Sequence, residues 1–407
     1  MSLPGRTRAP PDMNHAQAGG LCTLGAISST WDHSGAAEKN WAGNPPLFRL
    51  KPDGRRPTLD PCEKGFPMAR LDINTLTLWI TPAALDHPTD LADHVAAKMK
   101  VTRRTANKAL TRLVELQWLV REGSRSKPRY RPGLLRQVAR TYPLAGLEED
   151  LPWVRDFAPY FNLPREVHRM AQHAFCELLN NAIDHSEGTA VTVSLRQTPS
   201  HVQLLVSDDG RGVFDKINEA FSLEDPTLAM LELSKGKLTS QPQRHTGRGL
   251  FFTSKLADVF DLHANERAFQ RREWDAAGWT PGRALKRQGT SIFAAIALDT
   301  TRTLDGVLRA YSADGHGMAF ERTVVPLRLI TSTLAGLESR AQARRVAARL
   351  NQFRRAEVDF AGVPNIGHGF ADELFRVFAS QQPEFELVPV NMSPDVATMV
   401  QSIRCAA

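Results

Sequence analysis

The sequence predicts an α+β protein of several domains. Its 407 residues exceed what a single hydrophobic core of ordinary size organises. Apolar runs that read as strands recur among segments with helical spacing, the mixture expected of α+β and α/β domains. Composition also shifts along the chain: residues 1–67 are rich in Pro, Gly, Ala and Ser without a sustained period, and patterned sequence begins after them. These shifts divide the chain into 1–67, 68–140, 141–302 and 303–407.

Composition excludes several classes. The four cysteines, Cys22, Cys62, Cys176 and Cys405, are scattered and form no Cys-x-x-Cys pair, which argues against a disulfide framework or a metal cluster and fits a reducing cytoplasm. No run of eighteen apolar residues exists, and no basic segment followed by an apolar core opens the chain, so neither membrane insertion nor secretion is expected. The net charge of +7 is modest, so its distribution matters more than its sum.

Residues 1–67 read as disordered. Met68, directly before the first patterned segment, is a candidate start of translation. From about Leu71 to Pro132 the pattern is that of a small helical domain. Asp90–Met99 reads as a short amphipathic helix, Lys100-Val101 as a turn, and Thr102 as the cap of a helix through Gln117 with Ala106, Leu110, Leu113 and Val114 facing inward. Trp118–Arg121 and Pro128–Arg131 read as two short strands around a turn. This layout resembles a winged helix-turn-helix. Between Lys98 and Arg136 there are twelve basic residues against Glu115 and Glu122, an excess suited to phosphate contacts. Arg103, Arg104, Asn107 and Lys108, early on the second helix, are the candidate DNA-groove readers, with Arg125 and Lys127 on the wing. The alternative is a dimerisation or protein-docking module with a solvated charged face.

Three ordered motifs follow: Glu177-Leu-Leu-Asn-Asn181-Ala-Ile-Asp-His-Ser186, Asp208-Asp-Gly-Arg-Gly212 and Thr246-Gly-Arg-Gly-Leu250. On a helix Glu177 and Asn181 share a face. An amide oxygen at Asn181 suits Mg2+, a hard cation, while the Glu177 carboxylate one turn earlier can orient or deprotonate a water. Asp208 ends the apolar run Val202–Val206, so it falls at a strand end, where a carboxylate can accept the adenine amino hydrogen bond. Gly210 and Gly212 let the backbone turn close to the base. Gly247, Arg248, Gly249 and Leu250 open a helical run to Ala257, whose first amides can meet phosphate oxygens. Thr290, after Gly289 at the start of a late strand, offers one more contact to the base. Arg248, Lys255 and His245 are candidate γ-phosphate contacts, Arg248 foremost.

This set resembles the GHKL ATPases, the group that contains gyrase B, the ninety-kilodalton heat-shock chaperones, mismatch-repair ATPases and histidine kinases. The resemblance covers roughly 146–299. It implies a Bergerat-type α/β sandwich, an antiparallel or mixed sheet with helices on one face, and a mobile lid at about 214–245 between the second and third motifs. Histidine kinases place a long two-helix hairpin before the first motif, but only about thirty residues, 142–174, are present here. His168 and His173 therefore read as ordinary helix residues. The lead-in from Leu151 to Pro164 looks more like that of the anti-sigma-factor serine kinases.

The last region reads as α/β: strands at Ala356–Val363 and Phe385–Val390, and helices at Ser339–Phe353, Phe370–Ser380 and Ser393 to about Arg404. Asp359–Glu373 resembles the STAS-like family of unknown function often found beside GHKL domains, and more distantly the STAS antagonists of anti-sigma factors. Those antagonists carry a phosphorylated serine at the strand-to-helix turn. Here that turn is Ile366-Gly367-His368-Gly369, without a hydroxyl, which leaves His368 as the only alternative acceptor there. Asp359, Asp372 and Glu373 are candidates to pair with Lys235, Lys237 and Arg244 of the lid.

The resemblances imply a cytoplasmic regulator that binds ATP and Mg2+ and hydrolyses ATP as a switch, with DNA and a protein partner at its flanking domains and pairing into a homodimer plausible. Two other readings are a serine/threonine kinase that acts on a separate partner and a non-enzymatic, ATP-sensing DNA-binding regulator.

Overall fold

The computed structural model describes residues 71–223, 226–238, 247–275, 278–331 and 336–405. The expected disordered segment, Met68, Cys22, Cys62, Arg244, His245 and Thr246 lie outside the described residues. Everything described falls within one compact unit, 63–407.

The chain starts with helices α1 (Ile73–Thr77), α2 (Ile80–Asp86), α3 (Leu91–Met99) and α4 (Arg103–Glu115), followed by the antiparallel pair β1 (Leu119–Gly123) and β2 (Pro128–Pro132). Lys100 adopts a left-handed conformation, φ 53°, which turns α3 into α4. The Thr102 hydroxyl then accepts from the Thr105 amide at 3.2 Å, capping α4. Leu76, Ile80, Leu91, Val95, Ala106, Leu110 and Leu113 are buried together under Trp118 and Tyr130, and Val114 packs at their edge. α4 stops short of the expected Gln117, because Gln117 itself is left-handed at φ 63°.

β3 (Arg136–Pro143) runs across position 140 and pairs antiparallel with β4 (Ala190–Gln197), from Arg136 opposite Gln197 to Pro143 opposite Ala190. It forms the edge of a seven-stranded sheet in which every pairing is antiparallel. Short helical turns at 150–160 lead into α5 (Arg165–His185). Next come β5 (His201–Asp208), α6 (Val213–Phe221), α7 (Pro226–Lys235), α8 (Gly249–Leu256), β6 (Val259–Ala264), β7 (Arg267–Arg272), β8 (Trp279–Pro281) and β9 (Thr290–Ala297). The sheet order is β3-β4-β5-β9-β6-β7-β8. α5 buries Val167, Met170, Ala171, Ala174, Phe175, Leu178 and Ala182, a stripe at three- and four-residue spacing. That stripe lies against β5, β9 and α8, while Val202, Leu204 and Val206 alternate inward along β5. His168 and His173 lie on α5 itself, His168 edge-on to Trp153 with ring centroids 5.2 Å apart.

After α9 (Leu304–Ala310), a parallel sheet β10-β11-β12 is built from Arg322–Pro326, Arg355–Asp359 and Glu386–Val390. Its helices are α10 (Arg328–Thr331), α11 (Arg340–Ala347), α12, which begins at His368–Asp372 and continues through a π turn to residue 381, and α13 (Pro394–Cys405). α11 opens with a capping box between Ser339 and Gln342. It ends earlier than the expected Phe353, because Arg349 is left-handed at φ 63° and a 3-10 turn, Leu350–Gln352, follows.

Among the described residues, the expected acidic contacts to Lys235 and Lys237 are not formed. Asp372 pairs with Arg340 and Arg376, Glu373 pairs with Arg344, and Asp359 accepts from Ala361 N and Asn391 Nδ2. Lys235 and Lys237 do reach this region, but through backbone carbonyls. At the turn before α12 the Phe370 amide donates to Glu338 O at 3.2 Å, so the helix end beneath His368 already has a backbone partner.

Candidate functional site

Helix α5, strands β5 and β9, helix α6 and the segment around α8 enclose a cavity of about 290 Å³. Glu177, Asn181, His185 and Ser186 face it from α5 and its end, at the four-residue spacing of one helix face. Val206, Asp208, Thr290 and Ile292 line it from the strands, with Gly247, Arg248, Gly249 and Leu250 opposite. Eight of the residues expected at a nucleotide site therefore line one cavity.

Asp208 is 5% exposed at the end of β5, and its Oδ1 accepts from the amides of Gly210 at 3.0 Å and Thr290 at 3.1 Å. Burial pushes its carboxyl above the ordinary value, and these two amides pull it partly back. The Thr290 hydroxyl in turn accepts from the Val213 amide at 3.0 Å, which ties β9 to the start of α6.

Gly210 and Gly212 stand behind the cavity and shape its turn instead of lining it. A Cβ at Gly210 would lie 2.0 Å from Ser186 O, so this glycine lets the second motif close onto the end of the first-motif helix. Gly212, at φ 91°, is packed against the Asn265 amide. Gly249 does the same for the third motif: a Cβ there would lie 2.2 Å from Glu177 Oε2.

Two further cations belong to the site without a motif to announce them. Lys216 of α6 lines the cavity, with its Nζ 3.0 Å from His185 O and 3.0 Å from Glu187 Oε1. Arg287, in the loop before β9, donates to Asp208 O at 3.2 Å and Ser291 Oγ at 3.2 Å, and so holds the strand end that presents Asp208. Its only sequence signal is a basic residue two positions before Gly289-Thr290.

Lys255 does not line the cavity. Its ammonium lies 5.3 Å over the Phe251 ring and 5.8 Å over that of Tyr311, and burial, assisted by the Arg271 charge, pushes its pKa down to about 7. Between about 7 and the ordinary 10.5 the unfolded chain holds more protons than the folded one, so folding becomes more favourable as pH rises through that window. Lys255→Met removes the effect. In thermal melts wild type is expected to gain on the variant between about pH 7 and about pH 9.5. A constant difference would show that Lys255 keeps an ordinary pKa.

Two donors in the cavity wall are open to an acceptor. Asn181 Nδ2 and Arg248 Nε are buried there with no hydrogen-bond partner, and phosphate oxygens are acceptors for both. The Asn181 amide also carries an oxygen of the type Mg2+ prefers.

The candidate DNA contacts lie apart from this cavity. Arg103, Arg104, Asn107 and Lys108 are exposed on α4, and Arg125 and Lys127 on the β1–β2 turn. Arg103 Nε is 3.1 Å from Asp93 on α3, so one of these charges is already partly balanced.

Residues 145–269 match the family model of the histidine kinase-like ATPase domain, and residues 342–397 match that of a STAS-like domain of unknown function. A search of curated proteins found no match. The chain thus carries a histidine kinase-like ATPase domain, of a class that implies ATP binding, and a STAS-like domain on its C-terminal side. Among the described residues no helix is long and apolar enough to cross a membrane.

Proposed function

We propose that this protein is a Mg-ATP-dependent regulatory switch that hydrolyses ATP and couples a nucleic-acid-binding winged helix, α1 to β2, to a STAS-like domain. The observation that carries the reading is the convergence of Glu177, Asn181, Asp208 and Arg248 on one cavity, with the Asn181 and Arg248 donors unpartnered. Asp208 receives the adenine amino group, Arg248 meets the phosphates, and Asn181 Oδ1 holds Mg2+, which when bound neutralises phosphate charge. Glu177 takes a proton from water as the water oxygen bonds to the γ-phosphorus and the bond to the β–γ bridging oxygen breaks, releasing ADP and phosphate.

Incubation of purified protein with Mg2+ and γ-labelled ATP, alone and with cell extract, tests this reading. Free labelled phosphate is the expected product. Label retained on a protein would make the chain a kinase. The turn 366–369 has no hydroxyl, so a serine or threonine acceptor would lie elsewhere, in keeping with a separate partner. ATP bound but unchanged would leave a sensor.

DNA contact rests on the exposed cations of α4 and the β1–β2 turn. Replacing both Arg103 and Arg104 by Ala is expected to weaken DNA binding and to flatten its log–log salt dependence by about 1 to 2, since each lost phosphate contact removes about 0.9. An unchanged slope would rule out this face as the DNA surface.

A further inference from the structure

The region that carries the STAS-like domain reaches the cavity wall through side chains outside all three motifs. Phe320, 1% exposed just before β10, packs its ring on Phe251 and Phe252 of α8 with centroids 4.6 and 4.9 Å apart, and on Phe353 at 5.3 Å. The Arg248 guanidinium lies 6.0 Å over the same ring, and both Arg248 and Phe251 line the cavity. The ring also meets the end of α7. A Cβ at Gly236 would lie 2.6 Å from Phe320 Cζ, so a glycine is what admits the ring. One aromatic side chain therefore touches both segments that lead into and out of the third motif.

A polar set holds the same end of α7. Arg349 donates through Nη1 to Glu232 Oε2 at 2.7 Å and through Nη2 to the carbonyls of Gly236 at 3.1 Å and Lys237 at 2.7 Å. Lys235, fully buried, pairs with Glu232 and donates to Ala348 O at 2.9 Å, while the Thr323 hydroxyl donates to Lys235 O at 2.6 Å. Carbonyls at a helix C-terminus lack intrahelical partners, and here donors from 323–349 satisfy them. Removing one member of such a buried pair leaves its partner charged and unpaired, so the set favours a single geometry. Leu233 and Leu238, on either side of this cluster, are part of the cavity wall.

We propose that the STAS-like region is an intramolecular clamp on the nucleotide site, in which Arg349 fixes the end of α7 and Phe320 is a positioning residue for Arg248. The proposal rests on the cavity's being an ATP site. Anything that pulls this region from α7 releases the α7 wall and Arg248 together, which gives a signal at the STAS-like domain a direct route to the nucleotide.

Two measurements on the full chain test it. The first is hydrogen–deuterium exchange without nucleotide. Arg349→Ala is expected to raise exchange in 226–238 about tenfold while β4 and β5 stay protected, with Arg349→Lys intermediate. Unchanged exchange there overturns the clamp, and loss of protection in β4 and β5 as well, in both variants, would show Arg349 to serve general folding instead. The second is the ratio of ATP to ADP affinity. Phe320→Leu, which keeps an apolar side chain, is expected to reduce that ratio several-fold, and in Arg248→Ala protein to add nothing further. Additive effects overturn the positioning role. A wild-type protein that bound no ATP would overturn the ATP reading and the Phe320 role with it, while the exchange result would still decide the clamp.

Discussion

Glu177→Gln is expected to slow release of γ-phosphate by about 10²- to 10⁴-fold while ATP still binds, the range typical of losing a positioned general base. Glutamine keeps the length and nearly the shape of the side chain but cannot accept the proton that water must lose. Position separates this outcome from a folding defect. Glu177 sits mid-way along α5 and is half-buried, while the packing of the helix is carried by the fully buried Val167, Met170, Ala174, Leu178 and Ala182, so an isosteric change at 177 disturbs that packing little. Gly249→Ala approaches the same carboxylate from outside: its new Cβ, 2.2 Å from Glu177 Oε2, forces the side chain to move. It should also lower turnover, though less cleanly, because α8 itself must shift. Phosphate release and equilibrium ATP binding, measured on the same preparations, decide the matter. If Glu177→Gln turned over at the wild-type rate, the base would have to be sought elsewhere in the cavity.

The first two motifs were legible because chemistry and local structure coincide in them. Glu177 and Asn181 lie at helical spacing inside a longer apolar stripe, and Asp208 ends an alternating strand, so pattern and function point to the same positions. α4 was legible for the same reason, with Thr102 supplying the cap. What was not legible depends on pairing between distant parts of the chain. β3 is an edge strand whose partner begins at Ala190, and Arg136–Pro143 alternates too weakly to announce it. β10 is five residues long and is defined by its parallel neighbour β11. α4 and α11 end earlier than their sequence pattern predicts because Gln117 and Arg349 take left-handed conformations that neither residue type advertises. Arg287 and Phe320 act on residues about 80 and 70 positions away, so only the folded chain brings them to the site. The expected pairing of lid lysines with Asp359, Asp372 and Glu373 counted charges correctly and failed on geometry, because nearer arginines on the same domain satisfy Asp372 and Glu373.

Asp208→Asn is expected to weaken ATP binding by about 10- to 150-fold, equivalent to the roughly 1.5–3 kcal/mol of a hydrogen bond that involves a charged group. The wild-type carboxylate has two acceptor oxygens. Oδ1 is already taken by the Gly210 and Thr290 amides, which leaves Oδ2 for the adenine amino group. An asparagine has one oxygen for both tasks, so however the amide turns, an N–H faces another donor. Fold stability should change far less than binding, because burial already disfavours the ionised carboxyl at this site and the neutral amide is relieved of that cost. The raised pKa adds a second signature. In wild type the charge is lost as pH falls through a value above the ordinary 3.8, and affinity should fall with it, whereas Asp208→Asn has no such proton to gain. Titration calorimetry across mildly acidic pH, with ATP and with a triphosphate that lacks the exocyclic amino group, separates these effects. Equal affinity of wild type for both nucleotides would place the base away from Asp208.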